Sequence, residues 1–175
     1  MKPRLVRTIL LVVVFLVMVA VPRWLPRWPW PRPAEPRPSS VRPLTAGEKE
    51  QFERGRLQFA TICAACHQPN GQGLLGLAPS LVNSRWVQDD PRILARIVLN
   101  GKAQENLIMP PWKMMLNDGA IAEVLTFVRR SWGNEGDPVT AALVAEARRD
   151  TAAREQPLSD YDLETLVLTL PPRSN

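Results

Sequence analysis

The apolar residues of this chain fall into two regimes, one continuous and one periodic. Residues 9–21 (ILLVVVFLVMVAV) run without a polar interruption, preceded by Lys2, Arg4 and Arg7. Extended back to Leu5, a helix ending at residue 21 would be about 25 Å long at 1.5 Å per residue. That is the short end of what crosses a hydrocarbon core. Arg7 can snorkel to the head groups on one side, while Trp24, Trp28 and Trp30 sit at the other interface. The pattern predicts an uncleaved signal anchor over residues 1–21. A cleaved signal peptide fits less well, because Met18-Val19-Ala20 offers only one of the two small residues a cleavage site needs.

Beyond residue 44 the apolar positions recur at helical spacing. Thr45-Ala-Gly-Glu48 has the form of a capping box and predicts a helix running to about residue 60 or 62. Residues 67–88 are rich in Gly, Pro, Asn and Ser and read as loop. Asp90-Pro91 opens a second helix with proline at its first position, and Asn100-Gly101 closes it. A loop containing Met109-Pro110-Pro111 follows. A third helix begins at Asn117 or Asp118, places Ile121, Val124, Leu125 and Val128 on one face, and stops at Gly133. Two weaker helices are predicted over 140–154 and 159–170. Ser159 caps the second of these, with Leu163, Leu166, Val167 and Leu170 following at helical spacing. No alternating run is long enough to argue for a sheet, and there is no internal repeat. The expectation is all-α: about three core helices in a domain over 44–136, a transmembrane helix before it, and a helical extension over 137–175.

Charge sharpens this division. The whole chain carries a net +5. Residues 1–43 hold eight basic side chains against Glu35 alone, a net +7, and the rest is close to neutral at −2. A nucleic-acid binder needs its basic excess on the folded body, so no nucleic-acid partner is expected. Residues 22–43 contain eight prolines among Arg and Trp. Proline lacks the amide donor and fixes φ, so this stretch reads as an extended, semi-rigid linker.

The candidate chemistry sits in one pentapeptide. The chain has two cysteines and one histidine, and all three lie in Cys63-Ala-Ala-Cys66-His67. C-x-x-C-H is the attachment sequence of c-type haem. Two thiols on one helical turn can each add to a haem vinyl group, and the next residue brings its imidazole to the iron. A structural zinc site needs four protein ligands, and nothing else in the chain completes that set. A thioredoxin-like C-x-x-C belongs beside a strand in a βαβ unit, which is absent from the pattern. A disulfide between residues three apart would close a trivial loop.

With these residues in place, residues 45–133 resemble the class I cytochrome c family. The resemblance is carried by the haem motif, Asn70-Gly-Gln-Gly73, Pro79, Ser84-Arg-Trp86-Val, Val98-Leu-Asn-Gly101, Met109-Pro110 and Phe127-Val-Arg-Arg-Ser-Trp132-Gly-Asn134. It implies a small helical fold around a single covalent haem c. It also implies that the Pro79 carbonyl accepts a hydrogen bond from His67, fixing its tautomer. Gly55 and Phe59 are then expected to cross Phe127 and Trp132.

With one histidine, a second imidazole ligand from the same chain is excluded. The sixth position falls to Met109, Met114 or Met115, or stays open. Met109 precedes two prolines, which hold it extended and stiffen its loop. Met114 and Met115 read as core gap-fillers. The resemblance also points to the Met-Pro position. The expected haem-binding residues are therefore Cys63, Cys66, His67, Pro79 and Met109, with His67 and Met109 on the metal. His/Met ligation raises the reduction potential and leaves no coordination site for oxygen or peroxide. The expected function is a one-electron carrier rather than an enzyme, held at the cytoplasmic membrane with its haem domain on the periplasmic side. Its expected partners are redox proteins and the membrane, with no small-molecule substrate. The alternatives are a haem subunit docked in a larger oxidoreductase complex, and a five-coordinate haem that reduces peroxide or senses a gas. Arg85, Trp86 and Arg96 are the candidates to meet the haem propionates, and residues 137–175 exceed the minimal fold.

Overall fold

A computed structural model describes residues 41–104 and 107–171. The anchor and most of the proline-rich linker lie outside the described residues. Among the described residues no helix is long and apolar enough to cross a membrane.

Helix α1 (Ala46–Gln58) starts where the capping box predicts. Thr45 Oγ1 accepts from the Glu48 amide, and the Glu48 carboxylate accepts from the Thr45 amide at 2.8 Å. Arg42 grips the same carboxylate with two bonds, of 2.8 and 2.5 Å. Its guanidinium, with the Thr45 amide second, holds Glu48 down to about 2. Past Gln58 the helix widens into a π turn (Phe59–Cys63), in which the Ala64 amide reaches back five residues to the Phe59 carbonyl. A one-turn helix α2 (Ala64–His67) continues from it. Such insertions re-phase the faces of a helix and favour functional sites. Here the re-phased stretch carries Ile62, Cys63, Cys66 and His67.

Helix α1 crosses helix α5 (Asp118–Arg130) at Gly55, the one fully buried residue of α1. Around the crossing, Phe52, Phe59, Phe127 and Trp132 form a tilted ring cluster with centroids 5.2–5.3 Å apart. Each such pair contributes about 0.5–1.5 kcal/mol beyond its buried area. The expected face of α5 is confirmed, with Ile121, Val124, Leu125 and Val128 all buried. The helix ends at Arg130, a little before Gly133, because Ser131 turns to extended backbone.

Helix α4 (Pro91–Asn100) runs through the middle of the core. The Asp90 carboxylate caps it by accepting from the Arg92 amide at 2.8 Å. All its residues except Arg92 are buried, which the sequence pattern did not require. The cause lies in the C-terminal region. Helix α6 (Ala141–Asp150) packs on α4 and α5, and helix α7 (Asp160–Thr169) packs on α4. Leu158 and Leu163 close a second apolar cluster with Ile93 and Ile97.

Three local expectations are corrected. The segment 67–88 is not all loop, since residues Arg85–Gln88 form a one-turn helix, α3. A two-stranded sheet exists where none was expected: β1 (Lys102–Gln104) pairs antiparallel with β2 (Leu107–Met109). Strands of three residues are too short to leave a period of two in the sequence. Val167 is exposed rather than packed, because α7 buries only a narrow stripe around Leu163.

Backbone carbonyls help to hold one buried cation. Arg129 is 2% exposed, and its guanidinium donates to the carbonyls of Val87 at 2.5 Å, Asp89 at 3.0 Å and Asp137 at 2.9 Å. These bonds tie α3 and the segment after α5 to one side chain. Asn134 performs a similar closure, donating to the Leu81 and Val128 carbonyls and accepting from the Asn83 amide.

Candidate functional site

The π turn and α2 form one wall of a solvent-open cleft of about 1190 Å³, counting its mouth. Cys63, Cys66 and His67 lie in that wall, and both cysteines are free thiols. Burial, then the neighbouring Cys66, pushes the Cys63 thiol up to about 11. Most of the remaining lining is apolar: Leu94, Ile97, Val98, Leu125 and Val128 belong to the core helices.

The loop after α2 is built around the histidine. His67 Nδ1 lies 3.2 Å from the Pro79 carbonyl oxygen. With the proton on Nδ1, that nitrogen donates to Pro79 and leaves the Nε2 lone pair for a metal. Burial lowers the His67 pKa, with the Pro79 bond opposing it, which favours the neutral imidazole. Gly73 makes the approach possible. It has φ +72°, and a Cβ there would stand 2.3 Å from the Ala78 oxygen and 2.6 Å from the Pro79 carbonyl.

Met109 enters the cleft from a separate element, the end of β2, and is half-buried. The strap that follows it is fixed to the end of α4. The Trp112 amide donates to the Val98 carbonyl at 3.0 Å and the Lys113 amide to the Leu99 carbonyl at 3.1 Å. These are carbonyls that a helix end leaves unpaired. Met114 and Met115 do not line the cleft, and at 89% and 75% exposed they are not the core gap-fillers expected of them.

Trp86 lines the cleft, whereas Arg85 stacks over it at 4.2 Å and pairs with Glu164. Arg96 is buried and turned to Asp150 and the Arg92 carbonyl. Lys102 and Gln104 also line the cleft and were missed by the sequence reading. Lys102 lies opposite Met109 in the hairpin register, and it pairs with Asp160 at 2.7 Å. Only the hairpin reveals them, and the hairpin leaves no sequence signal.

The donor set fits a covalent haem. Two free thiols one turn apart share a wall with an imidazole whose Nε2 is available, a thioether sulfur shares the same cleft, and the chamber between is apolar.

Residues 50–128 match the family model described as cytochrome c oxidase, cbb3-type, subunit III. The chain is 35% identical over 114 residues to the gluconate 2-dehydrogenase cytochrome c subunit of Pantoea cypripedii, covering 58% of this chain and 25% of that protein. It is 33% identical over 111 residues to the cytochrome c subunit of the quinone alcohol dehydrogenase of Gluconobacter oxydans (strain 621H), covering 59% and 23%. It is 33% identical over 89 residues to the cbb3-type cytochrome c oxidase subunit CcoP of Azospirillum brasilense, covering 47% and 29%. The chain thus spans about a quarter of the length of these curated relatives. The domain is a class I c-type cytochrome. Its cofactor is haem c, bound covalently.

Proposed function

We propose that this protein is a one-electron carrier in which Cys63 and Cys66 bind the haem through thioethers and His67 and Met109 are the axial ligands. The observation that carries the reading is that Met109 shares the His67 cleft while Met114 and Met115 do not. Bound haem supplies a reversible one-electron couple between ferrous and ferric iron. The chain's own residues do the rest. Pro79 orients His67 and holds its proton on Nδ1, which strengthens Nε2 as a donor. The Met109 thioether is a soft ligand that favours the reduced metal and raises the potential. The apolar walls keep water from the distal position, so the site moves electrons and does not turn over a substrate.

Residues 1–21 serve as a single-pass anchor, with 22–43 as spacer and the haem domain, residues 44–136 with the extension 137–175, outside the cytoplasm. The basic-then-apolar order supports this. The relatives are named as subunits of dehydrogenases and of an oxidase, which supports a donor or acceptor of that kind and a place within an oxidoreductase complex. Exposed Leu74, Leu75 and Leu77 on the loop before Pro79 favour the docked reading, since Leu77 also lines the cleft.

Visible spectroscopy of the ferric and ferrous protein tests the assignment. The ferric form should show the weak far-red sulfur-to-iron band, and Met109→Ala should abolish it, lower the potential and admit carbon monoxide to the ferrous haem. Met114→Leu and Met115→Leu should leave all three unchanged. A wild type that lacks the band and binds carbon monoxide at once would sink the carrier reading and leave the peroxidase or gas-binding one.

A further inference from the structure

The β1–β2 hairpin that carries Met109 pairs only three residues with three, and an isolated hairpin of that size is marginal in water. It is held by a segment distant in sequence. Leu158 forms a parallel bridge to Lys102. Its amide donates to the Gly101 carbonyl at 3.0 Å, and its carbonyl accepts from the Ala103 amide at 2.9 Å. The Leu158 side chain is 2% exposed, in the cluster with Ile93, Ile97 and Leu163 against which Met109 and Trp86 also pack.

The staple is itself braced. Ser159 and Asp162 form a capping box at the start of α7, and Arg154 reaches Asp162 at 2.6 Å. Asp160, in the first turn of α7, takes the ammonium of Lys102, the residue opposite Met109. Backbone pairing, a shared apolar cluster and an ion pair thus all run from the segment around Leu158 to the Met109 hairpin.

We propose that this segment of the C-terminal extension is a positioning element for the distal ligand: Leu158 adds a third, parallel rung that keeps Met109 seated in the cleft. The inference rests on the assignment of Met109 as a ligand. It gives part of residues 137–175 a role beyond covering α4, because it sets how often the sulfur position opens. A ligand held by a short hairpin alone would dissociate more readily, and a competing ligand would reach the iron.

The test compares Leu158→Pro, which removes the amide donor, and Leu158→Ala, which empties the cluster beside Met109, with Val144→Ala. Val144 is fully buried on α6 and outside the cleft, so it reports plain loss of stability. The full-length haem-loaded protein is used throughout. Both Leu158 variants should weaken the far-red band, lower the potential and raise the carbon monoxide association rate, by about tenfold for the lost pairing. Val144→Ala should move none of these. Should Leu158→Pro fail to fold, Leu158→Ala decides. If the wild type has the band, Met109→Ala removes it, and the Leu158 variants behave like Val144→Ala, this inference alone is overturned. If the wild type has no band, the Met109 assignment fails and takes this inference with it.

Discussion

Gly55 in α1 lies so close to Glu123 in α5 that a Cβ at position 55 would stand 1.9 Å from the Glu123 carbonyl oxygen. The neighbour is backbone, so it cannot swing aside. Gly55→Ala gains about 1 kcal/mol of helix propensity. It must also part the two helices at their crossing and disturb the rings of Phe59 and Phe127. Overpacking of this kind costs about 1–3 kcal/mol and more when backbone must move. The steric term should win, and the denaturation midpoint of Gly55→Ala should fall. An unchanged or higher midpoint would mean that the two helices are not held this closely.

The proposed attachment site offers two thiols in one wall of the cleft. After maturation in a host that attaches haem c, the wild type should retain its haem through acidic acetone extraction. Cys63→Ala or Cys66→Ala should keep one thioether, shifting the reduced absorption maximum, and the double variant should release all its haem. Free extraction from the wild type would refute the attachment site.

Arg129 is a buried cation that donates to three main-chain carbonyls. Arg129→Met keeps much of the volume but strips the Val87, Asp89 and Asp137 carbonyls of a charged donor. Leaving buried acceptors unpaired costs about 1–3 kcal/mol each. A loss of about 3 kcal/mol or more is expected in urea titration. A loss below about 0.5 kcal/mol, the range of ordinary surface substitutions, would show that water replaces the guanidinium at no cost.

Asp162 predicts a pH dependence with a definite sign. The Ser159 amide, then the Ser159 hydroxyl, and more weakly Arg154, hold its carboxyl below the ordinary value of 3.8. A carboxyl depressed on folding stabilises the fold fully above its unfolded value. The stabilisation is lost as pH falls through the lower folded value. Between about pH 5 and pH 2, the melting temperature of the wild type should fall more steeply than that of Asp162→Asn. Parallel curves would show that the Ser159 cap does not select the ionised form.

The helices were legible because their signals are local. Thr45 with Glu48, Asp90 with Pro91 and Ser159 with its following leucines each mark a helix start within four residues. The pentapeptide of Cys63, Cys66 and His67 was local too, whereas the 3.2 Å contact of His67 with Pro79 was expected only from the family resemblance. The π turn, the hairpin and the place of Lys102 opposite Met109 were not legible. The hairpin and its surroundings depend on contacts between distant segments: Gly101 with Leu158, Val98 with Trp112, Lys102 with Asp160. Met114 and Met115 were misjudged because an apolar side chain carries no mark of which way its loop faces. The burial of α4 on nearly all sides was hidden until α6 and α7 were seen to cover it.

The pairing of Leu158 with Gly101 and Ala103 also orders events in time. A chain is made from its N-terminus, so Cys63, Cys66 and His67 emerge well before Leu158. Contacts between segments far apart in sequence also form late, because the loop between them must close first. The hairpin beside the cleft therefore stays loosely held while the thiols are already available, and it tightens only when the later segment arrives.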